Sequence, residues 1–469
     1  MENRIFEKNS PLYYFEEFSR IPRGSGNRDG ICRYLLDFAK EHGLFSVSDE
    51  YGNVIIKKPA TRGYEDRPTV ILQGHSDMVC AIDEGFDIDM KKEGLSLFRD
   101  GDLLGARGTS LGADNGIFMT YALSILADEK LEHPALEMLF TSDEEIGMLG
   151  ANGLDGSLLE GRLMINLDTD REGEFTVGCA GGVRADISLP VSREDFSAKT
   201  YSLSVSGLIG GHSGGEIHKG RANAISVIAK LLSDIPDLRL ISLTGGTADN
   251  AIPRDAKAEF STENKPDKES LDKLFSLLTK GEADATLTLT ETSSFLTPIT
   301  AKKTKDILSV ITGIHTGVIA MSPYIEGLVE SSENIGLVDI SDDVFSLAVS
   351  VRSSKRGEKE SIVSKLEDFA KKFDADLTTR GAYPEWEYKA RSHLRDTMGE
   401  VYREMTGDEP KIYAIHAGLE CGILSSKLEG LDCVSTGPNV SGIHSPRERA
   451  SISSAERVYK YIIELLKRI

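Results

Sequence analysis

Three short apolar runs in the first third of the chain each end in a cluster of polar and acidic residues. This recurrence constrains the fold more than any other feature. Residues 70–73 lead into His75-Ser76-Asp77, residues 136–140 into Ser142-Asp143-Glu144-Glu145, and residues 163–167 into Asp168-Thr169-Asp170. An apolar-rich stretch of helical length, residues 116–127, lies between the first two. Short buried strands alternating with helices predict an α/β unit on a mostly parallel sheet, with helices on both faces. Ligands bind such sheets beyond the carboxyl ends of the strands. The three polar clusters stand at those ends.

A chain of 469 residues is longer than one ordinary core organises, and its middle reads differently. Between about Arg184 and Arg380 a pattern recurs. Helix 223–232 is followed by residues 239–243, Thr247-Ala-Asp-Asn250, a strand (256–260) and a helix (268–278). Helix 305–314 is followed by Ser331-Ser-Glu-Asn334, a strand (344–351) and a helix (358–373). Two units of strand, helix, strand, strand, helix predict one inserted α+β domain. The tail returns to α/β character, with helix 393–406 and strand 431–435 ahead of Gly437-Pro438 and His444. The expected organisation is a first domain of residues 1–183 and 384–469, interrupted by an inserted lid or dimerisation domain at 184–383.

Composition narrows the function. A formal net charge of −21 argues against a nucleic-acid partner, which needs a basic surface. No apolar run approaches the roughly 20 residues that span a bilayer. The first twenty residues read as an amphipathic helix with Leu12, Phe15 and Phe18 on one face, not as a signal peptide. The expected location is cytoplasmic, with no membrane partner. Five cysteines, an odd number without CxxC spacing, disfavour disulfides and thiolate zinc sites. A bound metal would be held by carboxylates and histidines.

Each candidate residue also has an ordinary explanation when taken alone. His75 and Asp77, two apart on an extended segment, share a face; they fit a metal ligand with its orienting carboxylate, or a buried histidine bonded to an aspartate. Asp114 opens a helix and fits either a bridging ligand or an N-cap. The acidic pair Glu144-Glu145 fits a ligand beside a general base, or a solvated loop. Asp168 ends a buried strand and needs a partner. His444 sits in a Gly/Pro-rich loop. Together they form a hard N/O donor set suited to Zn²⁺, Mn²⁺ or Co²⁺.

The order of motifs resembles the aminoacylase/carboxypeptidase clan of di-zinc peptidases, and within it the aminoacyl-histidine (Xaa-His, carnosinase-like) dipeptidases. The matching stretches are Gln73-Gly-His-Ser-Asp-Met-Val79, Ser110-Leu-Gly-Ala-Asp-Asn-Gly116, Thr141-Ser-Asp-Glu-Glu-Ile-Gly147, Ile165-Asn-Leu-Asp168, Gly211-His-Ser-Gly-Gly-Glu-Ile-His218, His416-Ala-Gly-Leu-Glu-Cys-Gly422 and Ile443-His-Ser-Pro446.

The resemblance implies two divalent metals, Zn²⁺ or alternatively Mn²⁺ or Co²⁺. Asp114 would bridge them, His75 and Asp168 would complete one site, and Glu145 and His444 the other. It further implies Asp77 as the orienting carboxylate, Glu144 as general base and His212 as an oxyanion donor. Asn250 and Arg352 would be contacts to the substrate's terminus, and Glu420 would meet the substrate's amino group or sit near the metals. A small peptide is the implied substrate, and a homodimer the implied assembly. An N-acyl amino acid deacylase of the same clan uses the same ligands and stands as the alternative. The chain departs from the family pattern at Ser76, Phe118 and Glu385. Glu385 stands where a glycine is usual, beside the expected hinges at 181–183 and 381–385.

Overall fold

The structure, a computed structural model, describes residues 4–293, 296–341 and 343–469. It divides into two compact units. One runs to Gly178 and resumes at Tyr388–Ala414 and Leu419–Ile469; the other comprises Cys179–Glu387 and Ile415–Gly418.

The first unit is built on an eight-stranded sheet. Its order is Phe45–Ser48, Val54–Lys58, Leu136–Thr141, Val70–His75, Leu163–Asn166, Asp432–Ser435, Glu174–Cys179 and Lys411–Ile415. The four central strands, from Leu136–Thr141 to Asp432–Ser435, are parallel. The flanking pairs of Val54–Lys58 and Phe45–Ser48 are antiparallel. Every residue of Val70–His75 and Leu136–Thr141 is buried, which explains their largely apolar runs. The helix Ala113–Ala127 packs against Val70–His75 and is buried nearly all round. Gly74 is required there, because a Cβ would lie 2.5 Å from the Phe118 ring. The tail contributes the parallel strand Asp432–Ser435, and Ile452–Arg468 closes the unit with an apolar face at helical spacing, capped by Ser451. At the N-terminus, Leu12, Phe15 and Phe18 are all buried, although the helix itself spans only Tyr13–Phe18.

The second unit holds a nine-stranded antiparallel sheet. Eight strands run in the order Thr286–Thr292, Lys199–Ser206, Ala256–Thr262, Arg239–Gly245, Val329–Ser341, Val344–Ser353, Gly181–Pro190 and Asp376–Tyr383. Gly317–Met321 pairs with Val329–Ser341 off this path. Two four-stranded halves meet where Thr244 pairs with Asp339. The helix Ala224–Ser233 packs against both Lys268–Leu278 and Ala301–Gly313, whereas Arg356–Lys371 lies on Val344–Ser353, Gly181–Pro190 and Asp376–Tyr383. The doubling is not contiguous, however. The strand Thr286–Thr292, ahead of Ala301–Gly313, pairs back into the first half. The second half instead takes Gly181–Pro190, from the start of the insertion.

The unit boundaries fall at 178/179 and 387/388, a few residues outside the expected 183/184 and 383/384. Main-chain pairing explains the difference. Gly182 pairs with Arg352 on one side and Tyr383 on the other, so the expected hinge residues 181–183 are strand residues. Glu385 is buried, with its carboxylate 2.5 Å from the Lys359 amine and 3.2 Å from the Arg356 guanidinium. Among the described residues, no helix is long and apolar enough to cross a membrane.

Candidate metal centre

The three strand ends converge as the parallel sheet requires. His75 ends its strand with Nε2 2.9 Å from Asp114 Oδ1 and 3.5 Å from Asp168 Oδ1. Asp77 Oδ1 faces the other ring nitrogen at 3.4 Å. Asp77 also accepts the main-chain N–H groups of Glu144 at 3.0 Å and Glu145 at 3.3 Å, and the Ser25 hydroxyl at 2.7 Å. One carboxylate therefore orients His75 and fixes the loop bearing both glutamates. Ser76 turns away, with its hydroxyl 2.9 Å from the Thr141 carbonyl.

The Asp114 carboxylate faces the histidines and accepts no first-turn amide among the described residues; the backbone there is extended (φ −81°, ψ 103°), with a cis peptide bond to Asn115. Its second oxygen, Oδ2, lies 3.4 Å from His444 Nε2, which in turn lies 2.9 Å from Glu145 Oε1. His444 reaches this position from a left-handed backbone conformation, φ +61°. Asn115 donates to Asp168 and, at 2.8 Å, to the Leu167 carbonyl.

These side chains form overlapping donor groups. His75, Asp114 and Asp168 make one, Asp114, Glu145 and His444 another, and His75, Glu144 and Glu145 a third; within each, the donor atoms lie within 4.8 Å of one another. Asp114 belongs to the first two. Asp143, between the glutamates and the strand, is occupied elsewhere: it accepts the Gly26 amide at 2.6 Å and faces Arg28 at 3.4 Å.

The cluster attracts positive charge. Hydrogen bonds from His444 to Asp114 and then Glu145 lift the imidazole to about 10. Burial opposes a charge on His75, but Asp114 and Asp168 outweigh it and raise that imidazole well above its ordinary range. Burial likewise opposes ionisation of Asp114, yet His444 and His75 hold it well below the usual carboxylate range. Burial, and then the charges of Asp168, Glu420 and Glu145, raise Glu144 well above that range against the pull of His75. A dense N/O donor set of this kind fits divalent cations.

Three buried residues that sequence reasoning missed support the cluster. Glu448 is 2% exposed and accepts four consecutive main-chain N–H groups: Leu111 and Gly112 at 2.9 Å, Ala113 at 2.8 Å and Asp114 at 3.2 Å. Arg23, also buried, donates to the carbonyls of Ser76 at 3.1 Å, Asp77 at 2.8 Å and Gly112. It thereby ties the His75 loop to the Asp114 loop. Gln73, with Thr141, holds Glu420. The only sequence signal for Glu448 was a glutamate following the His444 loop.

Glu420 lies beneath the cluster and not at an opening. It is 1% exposed and accepts Gln73 Nε2 at 2.6 Å and the Thr141 hydroxyl at 2.7 Å. From there its charge acts on Glu144, close to the proposed metal ligands.

The other expected residues belong to the second unit. His212 Nδ1 accepts the amides of Gly214 at 3.3 Å and Gly215 at 3.0 Å, which leaves the proton on Nε2. Burial and then Arg352 lower its basicity, keeping the ring neutral. Arg352 is only 4% exposed. Its Nη1 donates to the Tyr383 hydroxyl at 2.5 Å, its Nε is unpaired, and no carboxylate among the described residues lies within ion-pair distance. Asn250 is exposed and its carbonyl accepts the Ser213 amide at 2.9 Å.

Comparisons with known proteins place the chain in a family. The sequence profile of Peptidase family M20/M25/M40 matches residues 71–468. The chain is 38% identical to the cytosol non-specific dipeptidase of Escherichia coli (strain K12), covering 98% of this chain and 97% of that protein. It superposes on aminoacylhistidine dipeptidase from Vibrio alginolyticus with a TM-score of 0.92 at 33% identity, over 98% of this chain and 97% of the other. Aminopeptidase PepT from Bacillus cereus shares the fold, with a TM-score of 0.58 at 15% identity over 98% of each chain.

Proposed function

Because the chain belongs to Peptidase family M20/M25/M40, we propose that it is a metal-dependent dipeptidase that hydrolyses the peptide bond of unblocked dipeptides, Xaa-His or a broader set. The observation that carries this reading is the shared carboxylate: Asp114 faces His75 with one oxygen and His444 with the other, while Glu144 stands beside both groups.

In this proposal His75 and Asp168 would hold one divalent cation and Glu145 and His444 a second, with Asp114 shared between the two. The donors suit Zn²⁺, with Mn²⁺ or Co²⁺ as alternatives. When bound, such ions supply Lewis-acid polarisation of the scissile carbonyl and an easily deprotonated water. Glu144 would take a proton from the attacking water and deliver it to the leaving amine as general base and then acid. Asp77 keeps His75 oriented. Neutral His212, with its proton on Nε2, serves as a donor to the developing oxyanion. Arg352 binds the free carboxylate of the dipeptide, which suits a buried guanidinium lacking a protein carboxylate, and Asn250 assists it. The name of the Escherichia coli relative supports cytosolic residence.

The test is a panel of free-amino and N-acetylated dipeptides, assayed on metal-stripped protein before and after Zn²⁺ or Mn²⁺ is added. Metal-dependent cleavage confined to the free dipeptides is expected. Cleavage of the acetylated set would select the deacylase instead.

A further inference from the structure

In the second unit one buried carboxylate has no partner supplied by the fold. Glu333 lies on the strand Val329–Ser341 and is 7% exposed. Its backbone is paired with Gly317 and Val351, but among the described residues no cation or hydrogen-bond donor lies within bonding distance of its side chain. Burial pushes the acid up to about 7, and the more distant Lys365 pulls the other way. An unpaired buried charge is costly, so such a residue calls for either a proton or a visiting cation.

Glu333 also faces open space. It lines a cleft of about 660 Å³ together with Ile314, Lys365, Leu366, Phe369 and Lys372. The last four follow one face of the helix Arg356–Lys371 and its end. Lys365 and Lys372 are exposed, whereas Leu366 is buried. The cleft thus has an anionic floor, an apolar wall and a rim on which two lysines outnumber the exposed Asp368.

This order of chemistry selects among ligands. A metal ion would find Glu333 on the floor with only the exposed Asp368 and His315 at the edge, and would be opposed by Lys365 and Lys372. A phosphate would meet the lysines but be repelled by the floor. A simple amine would satisfy Glu333 and leave the rim unmatched. We propose that the cleft binds a free α-amino acid with an apolar side chain. Its ammonium meets Glu333, its side chain lies against Ile314, Leu366 and Phe369, and its carboxylate lies between Lys365 and Lys372. Such a molecule is also a product of dipeptide hydrolysis. The binding claim does not depend on that reaction, and only the source of the ligand rests on the function proposed above.

The experiment is calorimetric titration of the metal-stripped full chain with L-phenylalanine, N-acetyl-L-phenylalanine and phenethylamine. L-phenylalanine should bind, and the other two should bind at least tenfold more weakly. Glu333→Gln should weaken L-phenylalanine binding at least tenfold. Lys365→Glu, at an exposed position that folding does not use, should weaken it as well. Arg352→Ala should leave it unchanged, which separates this cleft from the proposed substrate site. Equal binding by wild type and Glu333→Gln would overturn the proposal, as would loss of binding in Arg352→Ala alone. Phenethylamine binding as tightly as L-phenylalanine would overturn the amino-acid assignment. The protein carries no metal in these titrations, so failure of the dipeptidase reading leaves their outcome untouched.

Discussion

The Glu448 carboxylate accepts the main-chain amide of Asp114, the residue shared by the two donor groups built around His75 and His444. The same carboxylate takes the three preceding amides. The loop that aims Asp114 is therefore fixed by a residue that is not itself a proposed metal ligand.

Glu448→Gln should weaken metal binding by about 10–100-fold, the usual effect of losing a partner behind a ligand. An amide offers one accepting oxygen where four N–H groups converge, and its own N–H₂ opposes the rest. Competition against a chelator, monitored by metal content, checks this. Unchanged affinity would remove Glu448 from any positioning role.

Glu144→Gln should retain metal while kcat falls by about 10²–10⁴-fold, the scale of general acid–base catalysis. His444→Ala should instead lower metal content, since it removes a donor. Metal analysis of both variants, paired with steady-state kinetics, separates the two roles. Full activity in Glu144→Gln would reassign the base.

Arg352→Ala should raise KM for free dipeptides by about 10–100-fold with a smaller effect on kcat, as expected where uniform binding is removed. Dipeptide amides, which lack the carboxylate, should show little change. Arg352→Lys should rescue only part of the loss, because an ammonium lacks the two-pronged geometry. Equal effects on amides and free acids would contradict carboxylate binding.

His416 supplies a pH prediction for the second unit. Burial, and then Arg352, depress its imidazole to about 3, while Nε2 lies 2.7 Å from the Ser332 hydroxyl. The folded state therefore keeps this ring neutral, whereas the unfolded chain protonates it below its ordinary value of 6.5. Its contribution to stability is fully present above that value and is lost as pH falls toward 3. The loss by pH 5 is about 2 kcal/mol. Denaturant midpoints should fall between pH 7 and pH 5, and His416→Asn should narrow the difference. An identical drop in the variant would assign the effect elsewhere.

The sequence by itself determined where chemistry is placed along the first unit. Apolar runs at residues 70–73, 136–140 and 163–167, alternating with a helical stretch, read as buried strands, and polar clusters at the ends of such strands emerge at one edge of a parallel sheet. That is why His75, Glu144, Glu145 and Asp168 were legible together, and Asp114 and His444 with the help of the motif order. Periodicity also carried the helices of the insertion.

Only the tertiary structure decided what depends on pairing across long separations. That Gly181–Pro190 completes the second half of the insertion, and that residues 415–418 join the second unit, are matters of strand partners that local pattern does not encode. Glu448, Arg23 and Gln73 were invisible for the same reason. Each acts through backbone or side-chain atoms that are distant in sequence, as Glu448 does across more than 300 residues to Asp114. The burial of Glu420 and Arg352 was likewise undetermined, since a charged side chain reads the same in sequence whether water or protein surrounds it. Packing sets that surrounding, and with it the charge each group carries.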